Sequence, residues 1–329
     1  MQKTDLLKTQ KSNIVLLIAA FAAVYILWGS TYLAIKYAID TLPPFLMAGT
    51  RFVVAGGILM LWARFSKDYE PPKAAHWKTS FIVGTLLLLG GNGGVVFAEH
   101  YISSSLAALL VATEPFWIVL LSWLWLKGSR PNLKTIAGIA VGFFGVWLLL
   151  NGQHASTDPN ANPMQFFGAI AVILAALSWA FGSIYGLRSP VPKSAILTSG
   201  MQMFAGGLVL YFVSLITGEF SRFDVSKVSN ESLLGLGYLI IAGSLIGFTA
   251  YSWLLKNANP AMVSTYAYVN PIVAVFLGWL IAGETFTTQM LIGAGVIVGS
   301  VVLITARDND KNKGEEFQLP ESECRTASA

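Results

Sequence analysis

Long apolar stretches are the feature of this sequence that most constrains its fold. Ten of them follow one another along 329 residues, and each is close to the roughly 20 residues that a helix needs to cross a bilayer. A β-barrel is disfavoured, because its strands would be shorter and would alternate apolar with polar residues. The sequence therefore predicts an all-α integral membrane protein with ten transmembrane helices. Their approximate limits are 14–35, 45–63, 79–98, 102–126, 133–150, 166–187, 195–217, 233–255, 260–281 and 287–305.

Charged residues are scarce, and this scarcity excludes several other classes of protein. Only 12% of the residues are charged and 55% are hydrophobic, whereas soluble domains carry about 25% charged residues. A soluble surface, a disordered chain and a collagen-like chain do not fit this composition, and a net charge of +4 is too small to indicate nucleic-acid binding. With one cysteine, Cys324, and three scattered histidines, we expect no disulfide, no metal site and no cofactor.

The distribution of Lys and Arg predicts the orientation of the chain. With the amino terminus in the cytoplasm, 17 of the 21 basic residues lie on the cytoplasmic side, three on the outer side and Arg51 within a span. This excess is the positive-inside pattern, and it predicts a bacterial inner (plasma) membrane protein with both termini cytoplasmic. The first apolar stretch is too long for a signal peptide, so we expect it to be retained. Residues 1–13 form a cytoplasmic segment, and 306–329 form a charged tail predicted to be disordered.

The two halves of the chain, 14–150 and 166–305, contain matching motifs. Any one match is weak, because Gly and Ala are common in membrane helices. Four matches in the same order, at offsets of 150 to 156 residues, indicate an internal repeat. The matched pairs are Gly29-Ser30-x-Tyr32 with Gly182-Ser183-x-Tyr185, Ala55-Gly56-Gly57 with Ala205-Gly206-Gly207, Thr113-Glu114-Pro115 with Val269-Asn270-Pro271, and Gly138 with Gly293.

Each repeat contains five predicted spans, and five is an odd number. The second repeat must therefore enter the membrane from the opposite side, so we predict two inverted five-helix repeats around a central cavity. Inverted repeats are typical of secondary transporters, which expose a site near the bilayer midplane to one side at a time.

Several short motifs carry a resemblance to a known family. They are Trp28-Gly29-Ser30-Thr31-Tyr32, Arg51-Phe52, Ala98-Glu99-His100, Glu114-Pro115, Asn270-Pro271 and Gly283-Glu284. Over residues 14–305 the sequence resembles the drug/metabolite transporter superfamily, in its ten-span form with two EamA-like repeats. The resemblance implies that fold and the export of small metabolites, often amino acids. The first repeat has Lys127-Gly128 where the second has Gly283-Glu284, so we interpret Glu284 as structural.

Glu114 is the first candidate for binding a substrate. It lies about half-way through the fourth span, where an ionisable side chain is costly and marks a functional site by default. It could bind a substrate ammonium group or a proton, and pairing with Arg51 is the structural alternative. Pro115 follows it, and Pro271 follows its counterpart Asn270. Each proline frees a backbone carbonyl, so matched helix breaks point to a central cavity, with simple packing kinks as the alternative.

Arg51 and Glu99 are the other charges expected near the cavity. Arg51 keeps its charge and needs an anion, which could be Glu99, Glu114 or a substrate carboxylate. We favour a structural role for Arg51, in a fixed ion pair, over substrate binding. An arginine in the outer half of a span can also snorkel to the surface, so its charge does not require a substrate. Glu99, at the outer end of the third span, shares a helix face with Asn92. Because the repeat counterparts of these charges are neutral, we expect a polar site in the outer half of the cavity, suited to a zwitterion.

The remaining candidates for the cavity wall are aromatic or polar. Two tryptophans lie deeper than the interfacial positions that Trp usually takes, so we favour a cavity wall that stacks on an organic cation or ring. Anchoring at the lipid interface is the alternative. The residues concerned are Trp28, Ser30, Tyr32, Trp179, Ser183, Tyr266 and Asn270.

These features predict a secondary transporter and not an enzyme. We expect a monomer in the lipid bilayer that exports amino acids, related zwitterions or organic cations by alternating access, with a proton as the candidate coupling ion and no nucleic-acid partner. A primary pump is excluded, because the sequence has no Gly-x4-Gly-Lys-Ser/Thr motif. A channel or an importer of the same fold remains open, and a membrane enzyme acting through Glu99-His100 is disfavoured because the loops are short.

Overall fold

The computed structural model describes residues 15–66, 69–126, 133–154, 164–258, 263 and 266–305. Long helices contain most of these residues, and the described ranges contain no β-strand, so the predicted all-α class is confirmed. The helices are α1 (Val15–Ala38), α2 (Pro44–Arg64), α3 (Ala74–Ala98), α4 (Ser104–Val111 and Glu114–Leu126), α5 (Leu133–His154), α6 (Gln165–Arg188), α7 (Ala195–Ile216), α8 (Asn230–Tyr238, Leu239–Ile246 and Gly247–Asn257), α9 (Tyr266–Ala282) and α10 (Thr288–Thr305).

Seven of these helices are long and apolar enough to cross a membrane, namely α1 to α4 and α6 to α8. The other three contain shorter apolar segments, Ile136–Leu148, Val269–Ala282 and Thr288–Ser300. Helix therefore occurs in every predicted span, while the number of ten membrane crossings stays a prediction. The cytoplasmic segment 1–13 and the tail 306–329 lie outside the described residues.

Three helices change to π geometry part-way along their length. The π segments are Val24–Trp28 in α1, Thr85–Gly93 in α3 and Leu239–Ile246 in α8. A π segment widens the helix locally and is frequent at functional sites. The segments in α3 and α8 occupy equivalent places in the two halves of the sequence, so the repeat is also visible in the local backbone geometry.

The two prolines act differently on their helices. At Pro115, α4 is interrupted by a turn at Ala112 and Thr113, and a new helical segment begins at Glu114. The break predicted at Pro271 is wrong, because α9 is helical on both sides of this proline. Pro271 removes one backbone bond, to the carbonyl of Ala267, and the described helix continues through it from Tyr266 to Ala282.

Close contact between α2 and α7 explains one pair of sequence motifs. A Cβ atom on Gly56 would lie 2.5 Å from the backbone N of Phe204, and one on Gly207 would lie 2.8 Å from the backbone N of Val53. Glycine is therefore required for the two backbones to meet, as in other small-residue crossings of membrane helices. Gly57, beside Gly56, has no atom of the described residues within 4 Å of its own added Cβ.

A buried glutamate fixes the beginning of α2. Glu219 follows α7, and its carboxylate accepts hydrogen bonds from the backbone N–H of Phe45 (3.3 Å) and Leu46 (2.9 Å) and from the hydroxyl of Ser214 (2.8 Å). The first N–H groups of a helix have no partner within the helix, and a negative charge is favourable there. This contact joins the start of α2 to the end of α7.

We predict opposite effects for two neighbouring glycine substitutions in α2. Gly56→Ala forces a methyl group into the backbone of α7 and should lower the free energy of unfolding by about 1–3 kcal/mol, the range for overpacking. Gly57→Ala meets open space and should change it by less than about 0.5 kcal/mol. Thermal unfolding of the purified variants in one detergent compares them. Equal destabilisation by both substitutions would contradict the α2–α7 contact.

Candidate functional site: a polar cavity between the helices

A cavity of about 80 Å³ lies between α1, α2, α3, α4, α6, α8 and α9. Its wall is mainly aromatic and aliphatic, with two charged side chains, two amides and three hydroxyl groups among the apolar ones. Such a combination, with few polar groups in an apolar pocket, is typical of small-molecule sites. The lining residues are Trp28, Thr31, Tyr32, Ile35, Arg51, Gly91, Asn92, Val95, Val111, Glu114, Ala175, Ala176, Trp179, Phe248, Tyr266 and Asn270.

Glu114 reaches this cavity because α4 is interrupted directly before it. The carboxylate is 5% exposed and accepts a hydrogen bond from the hydroxyl of Tyr266, with O–O distances of 3.2 and 3.4 Å to its two oxygens. Within the described part of the chain, no Lys, Arg or His nitrogen forms an ion pair with it. Glu114 is therefore a buried acid with one neutral partner, on a cavity wall.

An aromatic cluster surrounds this acid. The ring of Trp28 lies edge-on to Tyr266 at 5.2 Å and tilted against Tyr251 at 5.0 Å between centroids. The indole N–H of Trp28 donates to the carbonyl oxygen of Gly243 at 3.1 Å, in the π segment of α8. Gly247 permits this approach, because an added Cβ there would lie 2.5 Å from the indole nitrogen. The cluster is thus fixed by ring packing and by one backbone hydrogen bond.

Arg51 lines the same cavity from α2. It is 2% exposed, and its Nε donates to the hydroxyl of Ser244 at 2.9 Å. Its Nη1 has no hydrogen-bond partner in the part of the chain that the structure describes, and no described carboxylate lies within 4.0 Å of the guanidinium. The fixed ion pair with Glu99 or Glu114 that we favoured from the sequence is therefore not formed here. Ser244 and the ring of Phe52, 4.7 Å away, hold the side chain instead.

Two amides and a tryptophan complete the polar and aromatic wall. Asn92, in the π segment of α3, has a buried side-chain oxygen without a partner among the described residues. The Asn270 amide, oriented to suit its neighbours, donates to the carbonyl oxygens of Tyr25 (3.1 Å) and Tyr266 (3.3 Å) and so joins α9 to α1. Trp179 of α6 packs on Gly91, where an added Cβ would lie 2.8 Å from its ring.

Three sequence candidates lie away from the cavity wall. Ser30 forms hydrogen bonds with the Leu27 carbonyl and with the hydroxyl of Tyr238 (2.6 Å), and Ser183 donates to the Trp179 carbonyl. Glu99 is buried at the end of α3, beyond the lining residues. The described residues contain no group of His, Cys, Asp or Glu that could hold a metal ion.

Glu284 anchors the end of the molecule beyond the cavity. It follows Gly283, whose φ of 64° favours glycine. One carboxylate oxygen accepts hydrogen bonds from Lys36 Nζ (2.9 Å) and from the Ser104 N–H and hydroxyl, and the other accepts from the same two groups of Ser105. Burial by itself would raise the pKa of the Glu284 carboxyl, but these bonds outweigh burial and lower its pKa below the usual value. The structural role interpreted for Glu284 is thus visible at the start of α4.

Several residues of this site were not found from the sequence. Ser244 and Gly243, which hold Arg51 and Trp28, lie in a π segment that has no recognised sequence signal. Thr31, Ile35 and Phe248 are apolar or weakly polar residues on helices full of such residues. The pairing of Lys36 with Glu284 joins positions 248 apart in the chain, and only their opposite charge could have suggested it.

The fold and the cavity define a helical membrane protein of the transporter class, and comparison with known proteins agrees. The sequence profile of the EamA-like transporter family matches residues 13–151 and again 166–306. The chain is 39% identical to the inner membrane transporter YedA of Escherichia coli (strain K12) over 290 residues, which are 88% of this chain and 90% of that protein. It is 27% identical to protein PecM of Dickeya dadantii, over 90% of this chain and 95% of that protein.

The chain therefore belongs to the EamA-like transporter family of the drug/metabolite transporter superfamily. This is a family of membrane transporters and not of enzymes. One protein of known crystal structure is 21% identical and superposes with a TM-score of 0.58, covering 90% of this chain and 98% of that one. At this identity the likeness supports the fold alone.

We predict that the Tyr266 hydroxyl stabilises the protein through Glu114. Tyr266→Phe leaves a buried carboxyl without its partner and should lower the free energy of unfolding by about 1–3 kcal/mol. Tyr251→Phe is the matched control, because Tyr251 lies in the same cluster and no hydrogen bond of its hydroxyl is described. Thermal unfolding in detergent measures both. Equal effects of the two substitutions would contradict the Tyr266–Glu114 bond.

The lowered pKa of Glu284 predicts a pH dependence of stability. Its folded pKa lies below the unfolded value of about 4.3 for a glutamate, so its contribution is complete above that pH and is lost as the pH falls through the folded pKa. Glu284→Gln should lower the free energy of unfolding at pH 7 by about 1–3 kcal/mol. The difference in free energy of unfolding between the wild type and Glu284→Gln should shrink in acid, and unfolding curves at several pH values measure it. A constant difference would argue against an ionised Glu284.

Proposed function

We propose that this protein is a secondary transporter of small zwitterions, with α-amino acids as the main candidates, and that it works by alternating access. The observation that carries the proposal is the pair of opposite charges on one cavity wall. Arg51 and Glu114 both line the cavity, and neither has a partner of opposite charge among the described residues. A zwitterion supplies both missing charges in one molecule.

The cost of burying charge supports this proposal. An ion taken out of water without a counter-charge costs several kcal/mol, even after the surroundings relax. A substrate carboxylate at Arg51 can accept two hydrogen bonds from the guanidinium, whose Nη1 has no partner among the residues that the structure describes. A substrate ammonium group can donate to Glu114 beside Tyr266 and pack on the aromatic rings. The zwitterion adds no net charge to the site, which suits movement through an apolar protein.

The contacts between helices support two repeats related by a two-fold axis. The counterpart helices of the two halves are α1 and α6, α2 and α7, α3 and α8, α4 and α9, and α5 and α10. Exchanging counterparts turns the pair α1–α9 into α6–α4 and the pair α1–α8 into α6–α3. All four pairs are in contact, and so are the counterpart pairs α2–α7 and α5–α10. With five spans in each half the repeats are inverted, and rocking one against the other would open the cavity to each side in turn.

The location and direction of transport are part of the same proposal. The likeness to the inner membrane transporter YedA supports the inner membrane, and the excess of Lys and Arg supports cytoplasmic termini. Export is the direction that the family resemblance favours. An importer would share the same cavity, and the sign of net flux under an imposed gradient distinguishes the two. A channel would give flux that does not saturate with substrate.

Transport by two charge variants tests the zwitterion site. Purified protein in liposomes is screened for counterflow of labelled amino acids, and the best substrate is then compared with its carboxamide. Arg51→Gln and Glu114→Gln should each lower kcat/KM for the amino acid by about 10–100-fold, the equivalent of one lost charged hydrogen bond. Arg51→Gln should also remove the preference for the amino acid over its carboxamide, whereas Glu114→Gln should keep it.

The control is Glu70→Gln, which changes an acid exposed at the protein surface. Glu70 pairs with Lys193 at 2.7 Å, and the hydrogen bond from Lys193 lowers the pKa of Glu70, but neither residue lines the cavity. This variant should transport as the wild type does. Unchanged rate and affinity in both Arg51→Gln and Glu114→Gln would overturn the proposal.

A further inference from the structure

Glu99 is a buried acid that the zwitterion site does not use. It follows α3, it is 6% exposed, and neither carboxylate oxygen has a hydrogen-bond partner in the described part of the chain. Glu219 and Glu284, the other buried acids at the same end of the molecule, accept hydrogen bonds on both oxygens. Glu99 is thus an exception among the described buried acids, since Glu114 also has a partner.

An unpartnered buried carboxyl is far more stable as a neutral acid than as an ion. A carboxylate ion in such a place loses its hydration and gains no hydrogen bond, so taking up a proton relieves most of the cost. The step is a reversible transfer of one proton from water to a carboxylate oxygen of Glu99, and no other bond is made or broken. In the arrangement that the structure shows, burial without a partner therefore favours the protonated form of Glu99.

Four ionisable groups face Glu99 from the neighbouring elements. Lys36 and Tyr32 lie on α1, Arg51 on α2 and Glu284 in the segment before α10. The part of α6 that packs against the end of α3, residues 165–172, carries no ionisable side chain. His100 and Tyr101 are the ionisable neighbours along the chain.

Lys36 lies where two acids can compete for it. At present it forms an ion pair with Glu284, and this pair joins α1 to the start of α4 through Ser104 and Ser105. The field of Lys36 also reaches Glu99. If Glu99 lost its proton, its negative charge would attract Lys36 and weaken the bond to Glu284. The same charge would attract Arg51 from the cavity side.

We propose that Glu99 is a proton-binding site, separate from the substrate cavity, that controls whether this end of the protein is closed. When Glu99 is protonated, Lys36 stays paired with Glu284, and this end of the protein stays closed. When Glu99 is ionised, its charge attracts Lys36 away from Glu284, and this end of the protein opens toward the cavity. This inference rests on the alternating access of the proposed function, and it suits exchange of an exported substrate for an entering proton.

Labelling of one cysteine tests the opening directly. Cys324→Ser removes the native thiol, and Ile35→Cys places a thiol on the cavity wall, one residue before Lys36. A membrane-impermeant maleimide is added to vesicles of each orientation over a range of pH. Ser226→Cys, at an exposed position of the same end, shows which vesicles present this end. The labelling rate at position 35 is divided by the rate at position 226, and this rate ratio removes the pH dependence that an exposed thiol shows. The Glu99→Gln protein shows any further part that comes from ionisation of the thiol at position 35 itself.

The rate ratio should rise severalfold as the pH increases and Glu99 loses its proton. With Glu99→Gln it should stay low at every pH, because the amide mimics the protonated acid. With Glu284→Gln it should be high at every pH, because Lys36 has lost its anchor. Glu99→Asp keeps an ionisable group and should keep the rise.

Two results would overturn the inference. One is a Glu99→Gln protein that shows the same rise with pH as its parent, and the other is a flat profile in both the parent and Glu99→Asp. Because labelling needs no substrate, a flat profile with normal counterflow rejects the proton site alone. A rising profile without counterflow of any amino acid rejects the transport proposal alone.

Discussion

The function proposed for this protein depends on two ionisable side chains of opposite charge on one cavity wall, neither of which has a partner of opposite charge among the described residues. Arg51 and Glu114 come from different helices, and each is kept in place by neutral groups, Ser244 for the arginine and Tyr266 for the glutamate. If the two side chains neutralised one another, the cavity would need no ligand. Held apart, they leave a site whose electrostatic cost a zwitterion can remove.

Departures from regular helix geometry make this arrangement possible. The interruption of α4 places Glu114 at the start of a new helical segment, and the π segment of α8 brings Gly243 and Ser244 to Trp28 and Arg51. Irregular backbone at membrane depth is tolerated where it faces protein or a cavity. Close backbone contacts at glycines, such as Gly56 against α7, hold the regular parts together around it. The irregular segments carry the site, and the regular segments fix their positions.

Much of this organisation could be predicted from the sequence, because it depends on composition and spacing. The apolar stretches identified the helices, and the motif offsets identified the repeat that the family profile matches twice. The scarcity of charge directed attention to Arg51 and Glu114, which do line the cavity.

Other features depend on tertiary contacts that no local pattern encodes. Glu284 could be interpreted as structural, yet its partners Lys36, Ser104 and Ser105 come from two other helices. The expected ion pair of Arg51 is absent from the described residues, and its Nε donates instead to Ser244, 193 positions away. Ser30 and Ser183 share the helices of cavity residues but bond to neighbouring carbonyls instead.

The most direct test of the central claim is a competition experiment on the wild-type protein. Binding of the best labelled amino acid to purified protein in detergent is measured against its carboxamide, against the same acid without its amino group, and against the unlabelled amino acid. If Arg51 and Glu114 together recognise a zwitterion, each analogue should compete about 10–100-fold more weakly than the amino acid. Equal competition by either analogue would contradict the account, because the charge that this analogue lacks would then contribute nothing to recognition.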